Sequence, residues 1–259
     1  MMKRCPTCKQ DLELDAFPPS HRPINGKQCR KCHVGRIRRR LLKTNYGLTE
    51  DDVQAMAQRQ HGRCLGCQKE LPRNFVVDHD HKTGVVRGLL CRQCNLILGL
   101  LQEDKGTLTR LRLYLDRDPK KTNVYVVGSL RNPHVTQVSK RLREDGFVVW
   151  DEWVSAGPEA DDHWQRYELE KGRSYQEALT GLAAQNTFYF DKGLIDLADI
   201  GVLVMPAGKS AHLELGYMAA RGKRTFILQD VSPERFDVMP QFAEKVFGNL
   251  EELLEYLRT

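Results

Sequence analysis

Apolar residues follow two different rhythms along this chain. In the second half they come as short unbroken runs: Val124-Tyr125-Val126-Val127, Phe147 to Trp150, Ile200 to Met205 and Thr225 to Leu228. Runs of this length between turn residues predict strands buried on both faces of a sheet. Val135, Val138 and Leu142 recur at helical spacing from His134 to Asp145, ahead of a stop at Gly146, and AHLELGYMAARGK reads as a further helix. Strand and helix in alternation predict an α/β domain with a doubly wound parallel sheet. The stretch Gly157 to Glu177, with Trp164, Tyr167 and Tyr175, interrupts the rhythm and reads as an insertion covering a pocket.

The first half has fewer and more scattered apolar positions. Phe75-Val76-Val77 predicts a short strand, Lys82-Thr83-Gly84 a turn, and Val85-Val86 the returning strand. Leu96, Ile97, Leu100 and Leu101 begin a helical pattern. Upstream, Thr49 has the character of an N-cap, with Glu50, Asp51 and Asp52 in the first turn and Gly62 beyond the end. A helix from Thr107 to Arg117 carries Leu108, Leu111, Leu113 and Leu115, an apolar surface wide for one small domain. Dimer contact, interdomain contact and ordinary core packing all remain open for it.

Composition sharpens the division. The chain has 259 residues and a net charge of +6. Residues 1 to 121 carry a net +12 and residues 122 to 259 a net −6. A basic half suits a phosphate-backbone binder and an acidic half does not. All eight Cys lie in the first 94 residues as four CxxC pairs, a usage foreign to disulfide frameworks. The start MMKRCPTCKQ lacks the apolar run of a signal peptide, and no stretch approaches a membrane span. A soluble, reduced, cytoplasmic protein is expected, in a bacterial or phage-infected cell. The Asp118-Pro119-Lys120-Lys121 segment is the natural joint between domains.

Cys64 and Cys67, then Cys91 and Cys94, form two CxxC pairs 23 residues apart, spacing that lets four thiolates surround one tetrahedral Zn²⁺. Cys5 and Cys8 with Cys29 and Cys32 form a second frame, read as a zinc ribbon. Its loop, with Phe17-Pro18-Pro19 and Asn25-Gly26, is rich in turn residues, so metal replaces much of a missing core. Sequential pairing of the cysteines closes the shortest loops; interleaved pairing is the alternative. His33 to Lys43 follows as a basic helix with five cationic residues from Arg36 onward, suited to gripping DNA phosphates or to forming a solvated face. Between the second set of pairs stand Asp78, His79, Asp80 and His81, with Asn95 directly after the last cysteine. Phosphodiester hydrolysis needs a base of near-neutral pKa and a hard cation; a His meets the first need, and an Asp plus an amide oxygen the second. His81, two residues on, shares the strand face of His79 and could orient the phosphate.

The segments YGLTEDDVQAMAQRQHGRCLGC and VDHDHKTGVVRGLLCRQCN resemble the recombination endonuclease VII family, a branch of the His-Me finger nucleases, over roughly Tyr46 to Leu101. The resemblance implies an α+β zinc-stapled ββα-metal fold, a structural zinc on Cys64, Cys67, Cys91 and Cys94, a catalytic Mg²⁺ or Mn²⁺ on Asp78 and Asn95, and His79 as general base. DNA is the partner it implies, and symmetric cutting of a branched duplex would favour a homodimer. The expected domains are 1–45 (zinc ribbon and basic helix), 46–118 (nuclease) and 122–259.

VYVVGSLRN, ADIGVLVMPAGKSAHLELGYMAARGK and TFIL resemble the nucleoside 2-deoxyribosyltransferase-like superfamily over most of residues 123 to 259. This implies Glu214 as a nucleophile attacking C1′ of a nucleoside or nucleotide. The transferase pattern has an Asp six residues before the nucleophile; here Gly208 stands there. Lys209 and Ser210 at a helix start point instead to phosphate recognition, hence to a nucleotide or nucleic-acid ligand. Asp191, Tyr125 and Ser129 are the remaining pocket candidates. Expected, then, is a metal-dependent DNA endonuclease fused to a deoxyribosyltransferase or N-glycosidase, from a phage or an anti-phage defence system. The alternative is a nuclease regulated by a non-catalytic nucleotide sensor.

Overall fold

A computed structural model describes residues 1–22, 27–233 and 236–258. The expected Asn25-Gly26 turn lies outside the described residues. The chain divides into two compact units, Met1–Glu103 and Asp104–Thr259, so the Asp118–Lys121 segment falls inside the second. Among the described residues no helix is long and apolar enough to cross a membrane.

The first unit opens with strands β1 (Met2–Arg4) and β2 (Asp11–Glu13), paired antiparallel around the first CxxC. Helix α1 spans Arg30–Tyr46 and ends at Gly47, whose φ of 66° is the left-handed C-cap that glycine adopts without cost. The basic helix therefore begins at Arg30, earlier than expected, and takes Cys32 into its first turn. The N-terminal frame is thus one hairpin plus one helix start, where a ribbon would carry a hairpin at each pair. Helix α2 (Glu50–Arg59) is entered through a full capping box between Thr49 and Asp52. Strands β3 (Val76–His79) and β4 (Val86–Leu90) form the antiparallel hairpin, and α3 (Arg92–Leu100) follows. Leu42, Val53 and Leu89 form the small core, with Phe75 and Val77 against it. Gln60 pins α2 to the edge of β4: Leu89 N donates to its Oε1 at 2.8 Å, and its Nε2 donates to Leu89 O at 3.0 Å.

The second unit starts with α4 (Lys105–Tyr114), the expected leucine helix. Leu113 is buried against Leu194 and Ile195 of α8 (Leu182–Leu197), so this leucine packs into the core of the unit, while Leu108, Leu111 and Leu115 are exposed. Gly193 permits the approach, since a Cβ there would stand 2.7 Å from Leu113 Cδ1. The sheet strands are β5 (Asn123–Val127), β6 (Val148–Trp150), β7 (Ile200–Val204), β8 (Arg224–Leu228) and β9 (Lys245–Phe247), all parallel, in the order β6-β5-β7-β8-β9. Alternate residues face opposite layers. Val124 and Val126 pack toward α5 (His134–Glu144) and α10 (Leu250–Leu257), while Tyr125 and Val127 pack toward α8 and α9 (Lys209–Ala220). Two further helices, α6 (Ala160–Glu170) and α7 (Tyr175–Leu179), occupy the insertion. The doubly wound parallel sheet is as expected.

Candidate active sites

The two cysteine frames are built alike. After each first pair, Lys9 and Gln68 adopt φ near 60° and their N–H groups donate to Cys5 O and Cys64 O at 2.9 Å. Each second pair begins a helix, with Cys29 and Cys91 at the N-cap positions of α1 and α3. Cys29 N donates to Cys5 Sγ and Cys91 N to Cys64 Sγ, both at 3.3 Å. Within each set of four, the sulfur atoms lie within 4.8 Å of one another, in sequential pairing. Desolvation opposes ionisation at Cys5 and Cys64, yet backbone N–H donors outweigh it and bring both thiols to about 6. Burial, then the neighbouring thiols, push Cys32 and Cys94 up to about 12. Four thiolates this close repel one another, and a divalent ion resolves that conflict. The donor sets fit zinc.

Between the frame's pairs, β3 delivers Asp78 and His79. A register shift between them, with Asp78 opposite Gly88 and His79 opposite Val86, leaves Arg87 as the extra residue of β4. Arg87 turns onto Asp78: Nε donates to Oδ2 at 2.7 Å and Nη2 to Oδ1 at 3.1 Å. The same guanidinium reaches Glu103 Oε1 and Oε2 at 3.0 and 3.1 Å and His79 O at 3.0 Å. Its charge is held on by hydrogen bonds to Asp78 and Glu103, which raise its pKa. The half-buried His79 ring packs edge-on against Tyr46 and His81, with centroids 5.3 and 4.9 Å away. His81 is exposed, its Nδ1 3.3 Å from Glu103 Oε1. Asp80 serves the turn, accepting from Lys82 N and Thr83 N, bonds that lower its pKa. Asn95 sits half-buried in the first turn of α3. Sequence reasoning missed Arg87, Glu103 and Tyr46; only the bulge brings Arg87 onto this face.

In the second unit the chain leaves β5 toward β6 on one side while β7 lies on the other. That reversal opens a crevice beyond the strand ends. A cavity of about 1020 Å³ lies there, lined by Tyr125, Ser129, Asp191, Ser210 and Glu214 among others. Five expected residues thus come together. Lys209 is exposed in the first turn of α9 and outside the lining. Gly128 lets β5 turn out under α5, for a Cβ would stand 2.5 Å from Val135 Cγ2. Glu152, after β6, and Asp161 of α6 are the lining carboxylates that the sequence did not reveal; Trp153, Trp164, Phe188 and Phe190 supply aromatic wall.

Electrostatics define this cavity. Desolvation, then Asp191, raise Glu214 to about 7; desolvation, then Glu152, raise Asp191 to about 6. Burial and the carboxylates Glu214, Asp191 and Glu152 keep Tyr125 protonated far above neutrality. Among the described residues Arg131 is the sole cationic residue of the lining, and it is already paired with Asp162 at 2.9 Å. A smaller adjoining cavity of about 330 Å³ is bounded by Ser129, Arg131, Asn132 and Gly208 at the start of α9.

Residues 38–117 match the family model of recombination endonuclease VII, so the chain carries an endonuclease VII domain in its N-terminal part. The Gene 59 protein of Mycobacterium phage D29 is 44% identical over 92 residues, 34% of this chain and 53% of that protein. The chain therefore spans about half the length of this relative. Among solved structures, a 2-deoxyribosyltransferase from Bacillus psychrosaccharolyticus is similar at 18% identity and TM-score 0.35, over 52% of this chain and 92% of its own. The Clostridium botulinum CMP N-glycosidase is similar at 13% identity and TM-score 0.32, over 53% and 100%. The family match supports a nuclease.

Proposed function

We propose that the first unit is a metal-dependent DNA endonuclease and that the second cleaves N-glycosidic bonds of nucleotides. The observation carrying the first reading is His79, held on a hairpin between the two CxxC pairs of a zinc frame, within the segment that matches endonuclease VII. His79 takes a proton from the attacking water as general base, and His81 orients the phosphate. Asp78 and Asn95 offer the hard oxygen donors that suit Mg²⁺ or Mn²⁺, which when bound would stabilise charge on the phosphate and leaving oxygen. Arg87 now neutralises Asp78, so a cation and this guanidinium compete for one carboxylate. The exposed cations of α1, Arg36, Arg38, Arg40 and Lys43 among them, supply the DNA-facing charge. Mg²⁺-dependent cutting of branched and linear duplexes, compared between wild type and His79→Ala, tests this. We expect a fall of about 10²–10⁴-fold; undiminished cutting removes His79 from the role.

For the second site, the supporting observation is that Glu214, Asp191 and Tyr125 converge on one cavity at the strand-order reversal. In its ionised form Glu214 attacks C1′. The C1′–N bond breaks, its electron pair leaves with the base, and Asp191 donates to the base nitrogen from the less populated arrangement of the pair, in which Glu214 is ionised and Asp191 holds the proton. Water then hydrolyses the glycosyl ester. The acidic lining suits the base and sugar, while a phosphate fits the rim beside Ser129, Arg131 and Gly208. Chromatography of free base released from deoxynucleosides, deoxynucleotides and NAD, with wild type and Glu214→Ala, is the test. Release lost in the variant supports a second active site; no release from any compound turns the reading to a nucleotide sensor that regulates the nuclease.

A further inference from the structure

Asp78 and Glu103 share one guanidinium between them. Arg87 turns its Nε and Nη2 edge to Asp78, at 2.7 and 3.1 Å, and its Nη1 and Nη2 edge to Glu103, at 3.1 and 3.0 Å. The planar fork makes both pairs at once, so one edge can be released while the other holds. Two carboxylates against one guanidinium leave an excess of one negative charge, on side chains only 10% and 19% exposed for Asp78 and Glu103. Glu103 arrives there by an unusual path. Gln102 and Glu103 follow α3 in left-handed conformations, with φ of 52° and 58°, which residues bearing a Cβ adopt at a cost, and Glu103 N donates to Leu98 O at 3.0 Å. The reversal brings the Glu103 carboxylate back beside β4, where its Oε1 also lies 3.3 Å from His81 Nδ1.

We propose that Glu103 is a positioning residue of the nuclease site, which keeps Arg87 anchored by one edge when the other edge yields Asp78 to a divalent cation. This rests on reading Asp78 as a cation ligand. Without Glu103, Asp78 and Arg87 form a neutral bidentate pair, which offers a cation little net attraction and whose opening strands a guanidinium beside a divalent charge. With Glu103, the guanidinium keeps a partner, and Asp78 becomes available at the loss of one pair of hydrogen bonds. The edge freed from Asp78, Nε and Nη2, is a bidentate donor suited to two oxygens of a backbone phosphate. Glu103 acts on cation and DNA only through Arg87.

The full chain, with Zn²⁺ supplied for the cysteine frames, is titrated with Mn²⁺, and free Mn²⁺ is read by electron paramagnetic resonance. Asp78→Asn identifies the part of the binding that belongs to this site. We expect Glu103→Gln to raise the dissociation constant of that part about 10-fold; Glu103→Asp, too short to hold the edge, replaces it should Glu103→Gln not fold. Arg87→Met added to Glu103→Gln should bring the constant back to the wild-type value or below, because the competitor is gone, and Arg87→Gln serves should the Met variant not fold. A general loosening of the hairpin would not be repaired by a second substitution. An unchanged constant in Glu103→Gln, or a weakening that removal of Arg87 does not relieve, overturns this role and leaves the cation site standing. Mn²⁺ binding that is the same in wild type and Asp78→Asn overturns the reading of Asp78, and this role with it.

Discussion

The two units assemble their polar sites by opposite routes. Asp78, His79, His81 and Arg87 lie between the two CxxC pairs of one cysteine frame, with Tyr46 and Glu103 reaching in from outside it, so most of the site is local in sequence. Glu214, Asp191, Glu152 and Tyr125 come from four distant segments, and only the parallel sheet brings them together. The first unit has a core of a few residues around each frame, such as Cys5, Phe17 and Cys29. The second buries two apolar layers on either face of a sheet. A local site on a thin core survives only as long as its staples; a convergent site on a thick core survives as long as the sheet.

The largest test of that contrast is metal removal. Chelation with a strong zinc ligand should unfold the first unit, because paired thiolates and metal replace the missing apolar burial. The second unit should keep its transition unchanged. Limited proteolysis with intact-mass readout distinguishes the units, and equal loss of both would break the comparison.

Much of this contrast was readable beforehand, and the gaps have physical causes. The cysteine frames, the hairpin carrying Asp78 and His79, and strands β5, β7 and β8 each announce themselves through spacing or an unbroken apolar run. Helix α8 did not, since Leu194 and Ile195 on one turn face α4 and the sheet at once, which erases a single apolar stripe. Strand β9 has three residues, of which only Phe247 is buried. Arg87 reads as a strand residue pointing away from Asp78 until the bulge shifts the register. Glu152 could be placed only by knowing that β6 lies beside β5.

A smaller effect concerns the burial of Glu214. Its folded pKa is raised from 4.5 to about 7, so between those values the folded state holds more protons than the unfolded one. Stability of the second unit should therefore fall as pH rises through that window. Glu214→Gln removes this residue's share of the dependence and leaves that of Asp191, whose carboxyl burial also raises: its melting temperature should match wild type near pH 4.5 and exceed it by several degrees at pH 8. Calorimetry at the two values checks the sign, and a variant less stable at pH 8 would show that the carboxylate is not confined as the cavity requires.

The smallest effect isolates the first unit without touching its metal. Thr49 Oγ1 accepts from Asp52 N at 3.1 Å, and Thr49 N donates to Asp52 Oδ2 at 2.8 Å, closing the capping box of α2. The side-chain hydrogen bond from Thr49, then that from its backbone, holds the Asp52 carboxyl below its usual range. The stabilisation is therefore present above the unfolded pKa and lost as pH falls below it. Thr49→Ala should lower the melting temperature of the first unit by about 2–6 °C at neutral pH. Because Val53 on the next turn packs with Leu42 and Leu89, the loosened helix start acts on the same small core that supports the hairpin. A shift in the first transition alone would show that the units melt independently; a shift in both would mean that the thin core leans on the thick one.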